Sequence, residues 1–308
     1  MARSTTLITG GTGLLGLNWA CALRDTHDVV LGMHVRRVSL RGTRAIDLAL
    51  DDADGLTREL ERLAPAVVVH TAGITSVDEC EREPERARRV SEDLSLNVAR
   101  AATRAGARLI HISTDHLFSG DHAPYGEDAT PQPLNAYARA KLAAERAVAA
   151  ACPGALIVRT NFFGWGHRYR QSFSDWIYYG LSEGRRLTIF DDVFFTPILA
   201  DRLALFAHRL FESGATGIYN VVGDERISKY DFAVLLADLF GLPKASLQRG
   251  KIAASQLSAR RPPDMSLDNR KARQRLGTPL GTVAEHLRLL HEQAETARRE
   301  ELLAAVTE

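Results

Sequence analysis

The sequence is short of several features that would point to particular classes of protein. Its 308 residues include only three cysteines, and no apolar run approaches the roughly 20 residues of a membrane-spanning helix. The formal net charge is +1, so no electrostatic footprint for nucleic acid is present. Cys21, Cys80 and Cys152 are widely spaced and odd in number, which is typical of reduced thiols. The composition therefore predicts a cytoplasmic globular protein with no nucleic-acid or membrane partner.

Lysine is also scarce, because only five of the 39 Lys and Arg residues are lysines. The first of them, Lys141, lies four residues after Tyr137, so a helix would place both side chains on one face. A nearby ammonium is expected to lower the pKa of the phenol, which could then exchange a proton with a carbonyl or hydroxyl oxygen. Chance is the alternative, since two such residues can fall at this spacing without a shared role.

Strand-like and helix-like segments alternate along the first half of the chain. Short β-branched runs such as TTLITGG and PAVVVHTAG precede runs with helical spacing such as LLGLNWACALRD and NAYARAKLAAERAVAAA. This alternation predicts an α/β fold, a Rossmann-type doubly wound parallel sheet with a smaller C-terminal lobe. We expect the Rossmann domain at 1–165, completed by about 187–222, and the lobe at 166–186 and 223–308. The run EPERARRVSEDLSLNVARAATRAG predicts one long helix that ends at Gly106.

A glycine-rich turn follows the first predicted strand. TGGTGLLG, from Thr9 to Gly16, places Gly10, Gly13 and Gly16 three residues apart between a strand and a helix. Such a turn lets the backbone approach a pyrophosphate held at the helix N-terminus. An ordinary tight turn is the alternative, but the position between strand and helix favours a dinucleotide site.

Acidic residues are missing between Asp28 and Asp47, where an NAD site usually carries a carboxylate for the ribose hydroxyl. His34, Arg36 and Arg37 occupy this stretch instead, and guanidinium groups suit a 2′-phosphate. A solvated basic loop is the alternative. The stretch predicts NADPH as the cofactor without excluding NADH.

Polar side chains follow the predicted strand ARLIHISTD, at the end where an open parallel sheet binds its ligands. Thr114 lies there, and its hydroxyl could bond the reacting oxygen or simply cap a turn. His111, His116 and His122 are near one another in sequence but lack metal-ligand spacing, so no metal site is predicted.

These motifs, together with PYGED, PLNAYARAKLAAE and RRPPDMSLD, resemble those of the extended short-chain dehydrogenases/reductases. Within that superfamily the sequence is most similar to the dTDP-4-dehydrorhamnose reductase branch, from Thr5 to about Gly277. The resemblance implies reduction by NADPH of the 4-keto group of a nucleotide-linked deoxysugar, with dTDP as the expected nucleotide. Members of the superfamily are commonly dimers, so the resemblance allows a homodimer.

The resemblance also implies roles for individual residues. Thr114, Tyr137 and Lys141 match the catalytic triad, with Tyr137 as the proton donor. Residues that match cofactor contacts are Gly10, Gly13, Leu14, Leu15, Gly16, Asp47, Leu48, Thr71, Ala72 and Gly73. Residues expected at the substrate are Thr114, Asp115, Phe162 and Arg261. For Arg261 the alternative is an ion pair with a surface acid.

Two departures from the family pattern leave alternatives open. Ser91 stands where these helices commonly carry an asparagine, and His116 replaces the usual aromatic residue after Asp115. The chain could be another nucleotide-sugar enzyme, such as an epimerase or a dehydratase, although 4,6-dehydratases carry a glutamate where His116 lies. It could also be a non-catalytic NADP-binding regulatory subunit like the β subunit of methionine adenosyltransferase, which the intact triad disfavours.

Overall fold

The computed structural model describes residues 3–307 of the chain. Its strands are β1 (Thr5–Thr9), β2 (Asp28–Met33), β3 (Arg37–Val38), β4 (Thr43–Asp47), β5 (Val67–His70), β6 (Arg108–Ile112), β7 (Leu156–Arg159), β8 (Phe162–Phe163), β9 (Leu187–Phe190), β10 (Phe194–Phe195), β11 (Ile198–Leu199), β12 (Gly217–Asn220), β13 (Ile227–Ser228), β14 (Leu247–Gly250) and β15 (Val306–Thr307). Its α-helices are α1 (Leu14–Leu23), α2 (Ala53–Leu63), α3 (Val77–Arg82), α4 (Pro84–Arg88), α5 (Leu94–Arg104), α6 (Ala136–Ala151), α7 (Phe173–Ser182), α8 (Ala200–Glu212), α9 (Lys229–Leu239), α10 (Arg270–Leu276), α11 (Val283–Glu295) and α12 (Arg298–Ala304).

Seven of the strands form one parallel sheet in the order β12-β7-β6-β5-β1-β2-β4. The chain winds outward from β1 in one direction and from β5 in the other, so the strand order reverses between them. A crevice opens at the carboxyl ends of the strands at such a reversal, and ligands bind there. The predicted Rossmann-type α/β fold is confirmed.

Apolar strand residues explain why helices cover both faces of this sheet. The central strands carry fully buried β-branched residues, such as Val67, Val68 and Val69 in β5, as expected of a parallel sheet without a solvent-facing side. Helices α1 and α8 pack together beside one face, and α2, α5 and α6 pack over the other. Burial of these faces positions the carboxyl edge of the sheet, where the site lies.

The predicted long helix before Gly106 is three segments in the structure. Helix α4 is followed by a π-helical segment, Arg89–Asp93, and then by α5. Gly106 adopts a positive φ of 68° just after α5, which agrees with the predicted stop. The wider π-turn carries no proline or glycine, so the sequence offered no signal for it.

Short strand pairs build the smaller lobe. Strand β9 pairs with β14, and β10 pairs with β13, while α7 and α9 pack against each other. Strand β12 completes the large sheet beside β7. The division of the chain into a Rossmann domain and a lobe stays a prediction, and Leu187–Phe190 pairs with β14 rather than with the large sheet.

Within residues 3–307, no helix combines the length and apolar character needed to cross a bilayer. The same residues contain no group of three or more His, Cys, Asp or Glu side chains arranged to hold a metal ion.

Candidate active site

The glycine turn between β1 and α1 allows the protein backbone to approach a ligand closely. Gly10 has a φ of 70°, and a Cβ atom there would lie 2.8 Å from the backbone of Ala72, which no side chain could tolerate. A Cβ on Gly16 would lie 2.7 Å from the carbonyl oxygen of Gly10. Helix α1 begins after Gly13 without a side-chain cap, so its first N–H groups are available to an anion. The cradle fits the pyrophosphate of a dinucleotide.

A cavity of about 520 Å³ lies beside this turn, at the carboxyl edge of the sheet. Its walls come from the glycine turn, the loop after β5, the end of β6, helix α6, strand β8 and the aromatic loop before α7. It brings together many of the residues singled out in the sequence: Gly13, Leu14, Leu15, Arg36, Thr71, Ala72, Gly73, Tyr137, Lys141 and Phe162. His167, Tyr169, Arg170 and Phe173 line it from the loop side.

A second cavity of about 310 Å³ adjoins the first, and Thr12 and Ala72 line both. Its walls combine Gly10, Gly32 and His34 with the apolar side chains of Met33, Leu48, Leu50, Val90 and Leu94. Asp51 and Arg89 stand at its polar end. A flat apolar slot next to a pyrophosphate cradle suits the adenine end of a dinucleotide. Leu50, Asp51 and Arg89 were missed by the sequence analysis, because no local motif marks them.

The basic stretch after β2 divides into two arrangements. The Arg36 guanidinium lies 4.7 Å from the centre of the Tyr169 ring and takes part in no ion pair within the described part of the chain. Arg37 instead forms an ion pair with Asp47 at the end of β4, and both side chains are exposed. Arg36 is thus the guanidinium available to a phosphate, and Asp47 holds Arg37 rather than entering the adenine slot.

Helix α6 carries Tyr137 and Lys141 on the face that meets the cavity. The helix is capped by Asn135, whose side-chain oxygen accepts from the backbone N–H of Ala138 at 2.9 Å. Lys141 Nζ donates to the carbonyl oxygen of Ile112, the last residue of β6, at 2.6 Å. Burial lowers the pKa of Lys141 to about 8, and the charge of Glu145 one turn further along opposes this shift. Lys141 is therefore a cation at neutral pH that titrates in the mildly alkaline range.

Tyr137 behaves differently from the sequence-based expectation. Burial raises the pKa of its phenol to about 12, and a hydrogen bond with Thr114 partly opposes the rise. Lys141 was expected to lower this pKa, but its ammonium is bound to the Ile112 carbonyl and is not among the groups that dominate the shift. Tyr137 is consequently a protonated donor across the physiological range.

Thr114 and Asp115 follow β6 in a compact hydrogen-bonded turn. Thr114 Oγ1 accepts from the backbone N–H of His116 at 3.2 Å, and Asp115 Oδ2 accepts from the side-chain amide of Asn161 at 2.6 Å. The His116 ring meets the Tyr137 ring edge-on, with 5.6 Å between centroids. The turn thus holds a hydroxyl, a carboxylate and an imidazole next to the phenol.

The smaller lobe contributes a cation that the sequence analysis missed. Lys229, at the start of α9, has its Nζ 3.4 Å from the centre of the Phe195 ring and 4.8 Å from that of Phe173. Burial lowers the pKa of Lys229 to about 8, and the charge of Asp115 opposes this. Phe173 lines the large cavity, and Lys229 lies behind that ring without lining the cavity itself. The scarcity of lysine in this sequence could have drawn attention to Lys229. Its relation to Asp115, however, is visible only in the fold.

Arg261 lies away from the large cavity. Its guanidinium donates to both carboxylate oxygens of Asp78, at 3.1 and 2.7 Å, and this bond holds the pKa of Asp78 well below its usual range. Ser258 and the backbone N–H of Ala259 donate to the same carboxylate. The geometry corresponds to the ion-pair alternative for Arg261, and it ties the RRPPDMSLD segment to α3.

A buried row of polar side chains lies near Lys141 of helix α6. His70 and His111 stack in adjacent strands with 5.4 Å between ring centroids, and His70 bonds Thr9 at 2.7 Å and Ser95 at 3.0 Å. Ser91 is buried in the π-helical segment. Burial and the charge of Lys141 lower the pKa of both histidines. The two imidazoles are therefore neutral at pH 7.

Comparison with known proteins agrees with this geometry. Residues 4–295 match the model of the family described as RmlD substrate binding domain. Methionine adenosyltransferase 2 subunit beta of Xenopus tropicalis is 32% identical over 264 residues, which cover 79% of this chain and 74% of that protein.

Two solved structures are similar over nearly the whole chain. A hypothetical dTDP-4-dehydrorhamnose reductase from Sulfolobus tokodaii is 32% identical, with a TM-score of 0.79 over 90% of this chain and 97% of that one. The dTDP-4-dehydrorhamnose reductase of Bacillus anthracis str. Ames in complex with NADP has a TM-score of 0.84 at 23% identity, over 96% of this chain and 100% of that one. At that identity the second likeness shows the fold. The resemblance predicted from the motifs is confirmed, and the chain belongs to the RmlD substrate binding domain family.

Proposed function

We propose that the protein is an NADPH-dependent reductase of the 4-keto group of a nucleotide-linked, dTDP-bound 4-keto-6-deoxy sugar. The observation that carries the proposal is one cavity with the glycine cradle on one side and Tyr137 with Lys141 on the other. An oxidoreductase that uses a nicotinamide cofactor fits both walls. The similarity to a hypothetical dTDP-4-dehydrorhamnose reductase at 32% identity supports the sugar-nucleotide class.

The residues around the cavity suit reduction of a ketone to an alcohol. Bound nicotinamide would supply the hydride to the carbonyl carbon. Tyr137, protonated because burial raises its pKa to about 12, donates its proton to the carbonyl oxygen. The Lys141 ammonium adds a positive charge to the same wall of the cavity, and the Thr114 hydroxyl favours the ionised form of the phenol. Hydride and proton together convert C=O to CH–OH, so the step balances.

Arg36 supports NADPH as the form of the cofactor. Its guanidinium lines the large cavity without an ionic partner among the described residues, while Arg37 is paired with Asp47. Arg36 follows His34 by two residues in the same loop, and a guanidinium in this loop favours a 2′-phosphate over a free hydroxyl. His34 lines the adjoining slot and adds a second donor there.

Aromatic and basic groups support a nucleotide-sugar as the substrate. Phe162 and Tyr169 offer flat apolar surfaces for a base or a sugar ring, and Arg170 offers a cation for a diphosphate. Asp115 acts electrostatically on both Tyr137 and Lys229, and the charged groups of Asp115 and Lys229 would supply an acceptor and a donor for sugar hydroxyls.

The test is NADPH oxidation with freshly prepared dTDP-4-keto-6-deoxy sugars, followed by absorbance, with Tyr137→Phe as control. Oxidation that the variant abolishes supports the proposal and identifies the sugar. Oxidation that persists in the variant would mean that Tyr137 is not the proton donor.

A non-catalytic subunit is the second candidate, because methionine adenosyltransferase 2 subunit beta is 32% identical to this chain. NADPH binding without turnover of any keto sugar, together with co-purification of a methionine adenosyltransferase catalytic subunit, would favour it. The Tyr137, Lys141 and Thr114 arrangement disfavours it, since a binding role alone requires no buried proton donor.

A further inference from the structure

The segment from Ala297 to Thr307, here called the C-terminal segment, folds back onto the loop after β2. Strand β15 pairs antiparallel with β3, placing Val306 opposite Val38 and Thr307 opposite Arg37. The backbone N–H of Ser39 donates to the carbonyl oxygen of Ala305 at 2.9 Å. The family match ends at residue 295, so this contact lies outside it.

Apolar burial holds the two pieces together. Leu302 and Val306 are completely buried, and Val38 and Leu40 on the loop side are 8% and 5% exposed. A two-residue strand gains little from its own hydrogen bonds, so burial of these side chains is what keeps β3 and β15 paired.

Arg24, at the end of α1, also links the C-terminal segment to the loop after β2. It donates to both carboxylate oxygens of Glu301, at 2.5 and 2.8 Å, and to the carbonyl oxygen of Arg41 at 3.0 Å. One guanidinium therefore joins the C-terminal segment to the far end of the loop. Arg24 is only 9% exposed, so the pair is shielded from solvent.

This loop carries His34 and Arg36, the groups proposed to recognise the 2′-phosphate, and both are exposed. Within the described chain, β3 has no strand partner other than β15. Without β15 and the Arg24 link, the backbone between β2 and β4 would keep only the packing of Leu40, a weak bond from Val38 to Met33 Sδ and a bond from Thr43 to Leu40. The remaining contacts of its arginines are between side chains, Arg36 with the Tyr169 ring and Arg37 with Asp47. The backbone position of the loop therefore depends in large part on the C-terminal segment.

We propose that the C-terminal segment positions the loop after β2, which carries His34 and Arg36, and thereby sets the preference for NADPH over NADH. A loop that is ordered before binding loses less conformational entropy when its arginines close on a phosphate. NADH has no 2′-phosphate for the loop to contact, so ordering the loop before binding increases the affinity for NADH only slightly. The inference rests on the proposed use of NADPH.

The experiment uses three variants of the full-length protein. Val306→Asp places a charge in the buried contact and releases β15, Glu301→Gln weakens the link to Arg24, and Glu300→Gln changes an exposed neighbour in the same way. Dissociation constants for NADPH and NADH are measured by fluorescence titration, with thermal unfolding to show that each variant is folded. We expect Val306→Asp to weaken NADPH binding about tenfold and NADH binding less than about twofold. Glu301→Gln should shift the ratio in the same direction, and Glu300→Gln should leave it unchanged.

Every result bears on the inference. Equal weakening of both cofactors, or no change in a folded Val306→Asp variant, would overturn it while leaving the proposed function intact. A wild-type protein that binds NADH as tightly as NADPH would overturn both. Wild-type protein that prefers NADPH but reduces no keto sugar would refute the proposed reaction, and the ratio would still decide the role of the segment.

Discussion

Individual side chains at the site owe their chemistry to burial more than to neighbouring charge. Tyr137 and Lys141 have shifted pKa values mainly because the fold removes them from water. Burial disfavours the charged form of each group, so it raises the pKa of the phenol and lowers the pKa of the ammonium. Tyr137 therefore stays protonated across the physiological range, whereas Lys141 loses its charge as the pH rises through about 8.

This leads to a prediction for the pH dependence of turnover. Lys141 is charged below its pKa of about 8 and neutral above it, so kcat should fall as pH rises through about 8. In Lys141→Arg the guanidinium stays charged, so the alkaline limb should disappear from a residual activity about 10²- to 10⁴-fold lower. Steady-state kinetics between pH 6 and 10 measure both effects. An unchanged limb in Lys141→Arg would assign it to another group.

Lys229 gives a second prediction at this scale. Replacing it with Met should raise KM for the keto sugar about 10- to 100-fold, because a hydrogen bond from a charged donor is lost. The dissociation constant for NADPH should not change, since Lys229 is not among the residues that line the two cavities at the glycine turn. Lys244→Met removes a lysine that is ion-paired with Asp238 and lies outside the cavity. Equal effects of the two substitutions on KM would rule out a substrate contact for Lys229.

At the scale of elements, the sequence predicted features that depend on a single short segment and missed those that depend on contacts between segments distant in sequence. The glycine turn was predicted because the spacing of its glycines and the positive φ of Gly10 belong to one short segment, whereas its close contact with Ala72 comes from a distant part of the chain. The Tyr137–Lys141 pair was predicted because helix periodicity is local too. Asp51 and Arg89 reach the smaller cavity from segments distant in sequence from the glycine turn, and Lys229 reaches Asp115 in the same way. No rule of residue spacing predicts such contacts. The π-helical segment before α5 likewise lacked any sequence signal.

Substitution of glycine tests the turn between β1 and α1. Gly10 and Gly106 both have positive φ, but a Cβ atom on Gly10 would lie 2.8 Å from Ala72, whereas none of the described atoms lies within 4 Å of one on Gly106. Gly106→Ala should cost only about 1–2 kcal/mol for the left-handed backbone. Gly10→Ala should cost more and abolish NADPH binding. Denaturant unfolding and a binding titration separate the two effects, and intact binding in Gly10→Ala would argue against the cradle.

The junction of α6 with β7 depends on a buried ion pair. Glu145 and Arg159 are each 3% exposed and are joined by bonds of 2.8 and 2.9 Å. Removing one partner strands the other charge away from water, so Glu145→Ala should cost about 3–5 kcal/mol of unfolding free energy. Glu183→Ala, which breaks the exposed pair with Arg185, should cost less than about 1 kcal/mol. Urea unfolding compares the two, and similar costs would mean that water reaches the buried pair.

The whole molecule should lose stability in acid through its buried histidines. Burial lowers the pKa of His70 and His208 to about 3, and those of His167 and His286 to about 4. The unfolded chain takes up these protons below about pH 6.5 while the folded chain does not, so the free energy of unfolding falls as pH drops. Each histidine contributes up to about 1.4 kcal/mol per pH unit in that window.

His208→Leu is the variant that checks this. Its side chain packs among Trp19, His27 and Phe211, so an apolar replacement keeps the contact. The difference in unfolding free energy between pH 7 and pH 5 should be smaller in the variant than in the wild type. The same difference in both proteins would mean that His208 is protonated in the folded state.

The pairing of β15 with β3 joins residues from nearly opposite ends of the described chain. Contacts between such distant positions form late in folding, because the entropy of closing so large a loop must first be offset by other contacts. The strand pairs of the large sheet join segments much closer in sequence, whereas β3 gains its partner only when the C-terminal segment is present. If that segment orders the loop after β2 as proposed, a chain growing on the ribosome would form its glycine turn before it acquires its preference between NADPH and NADH.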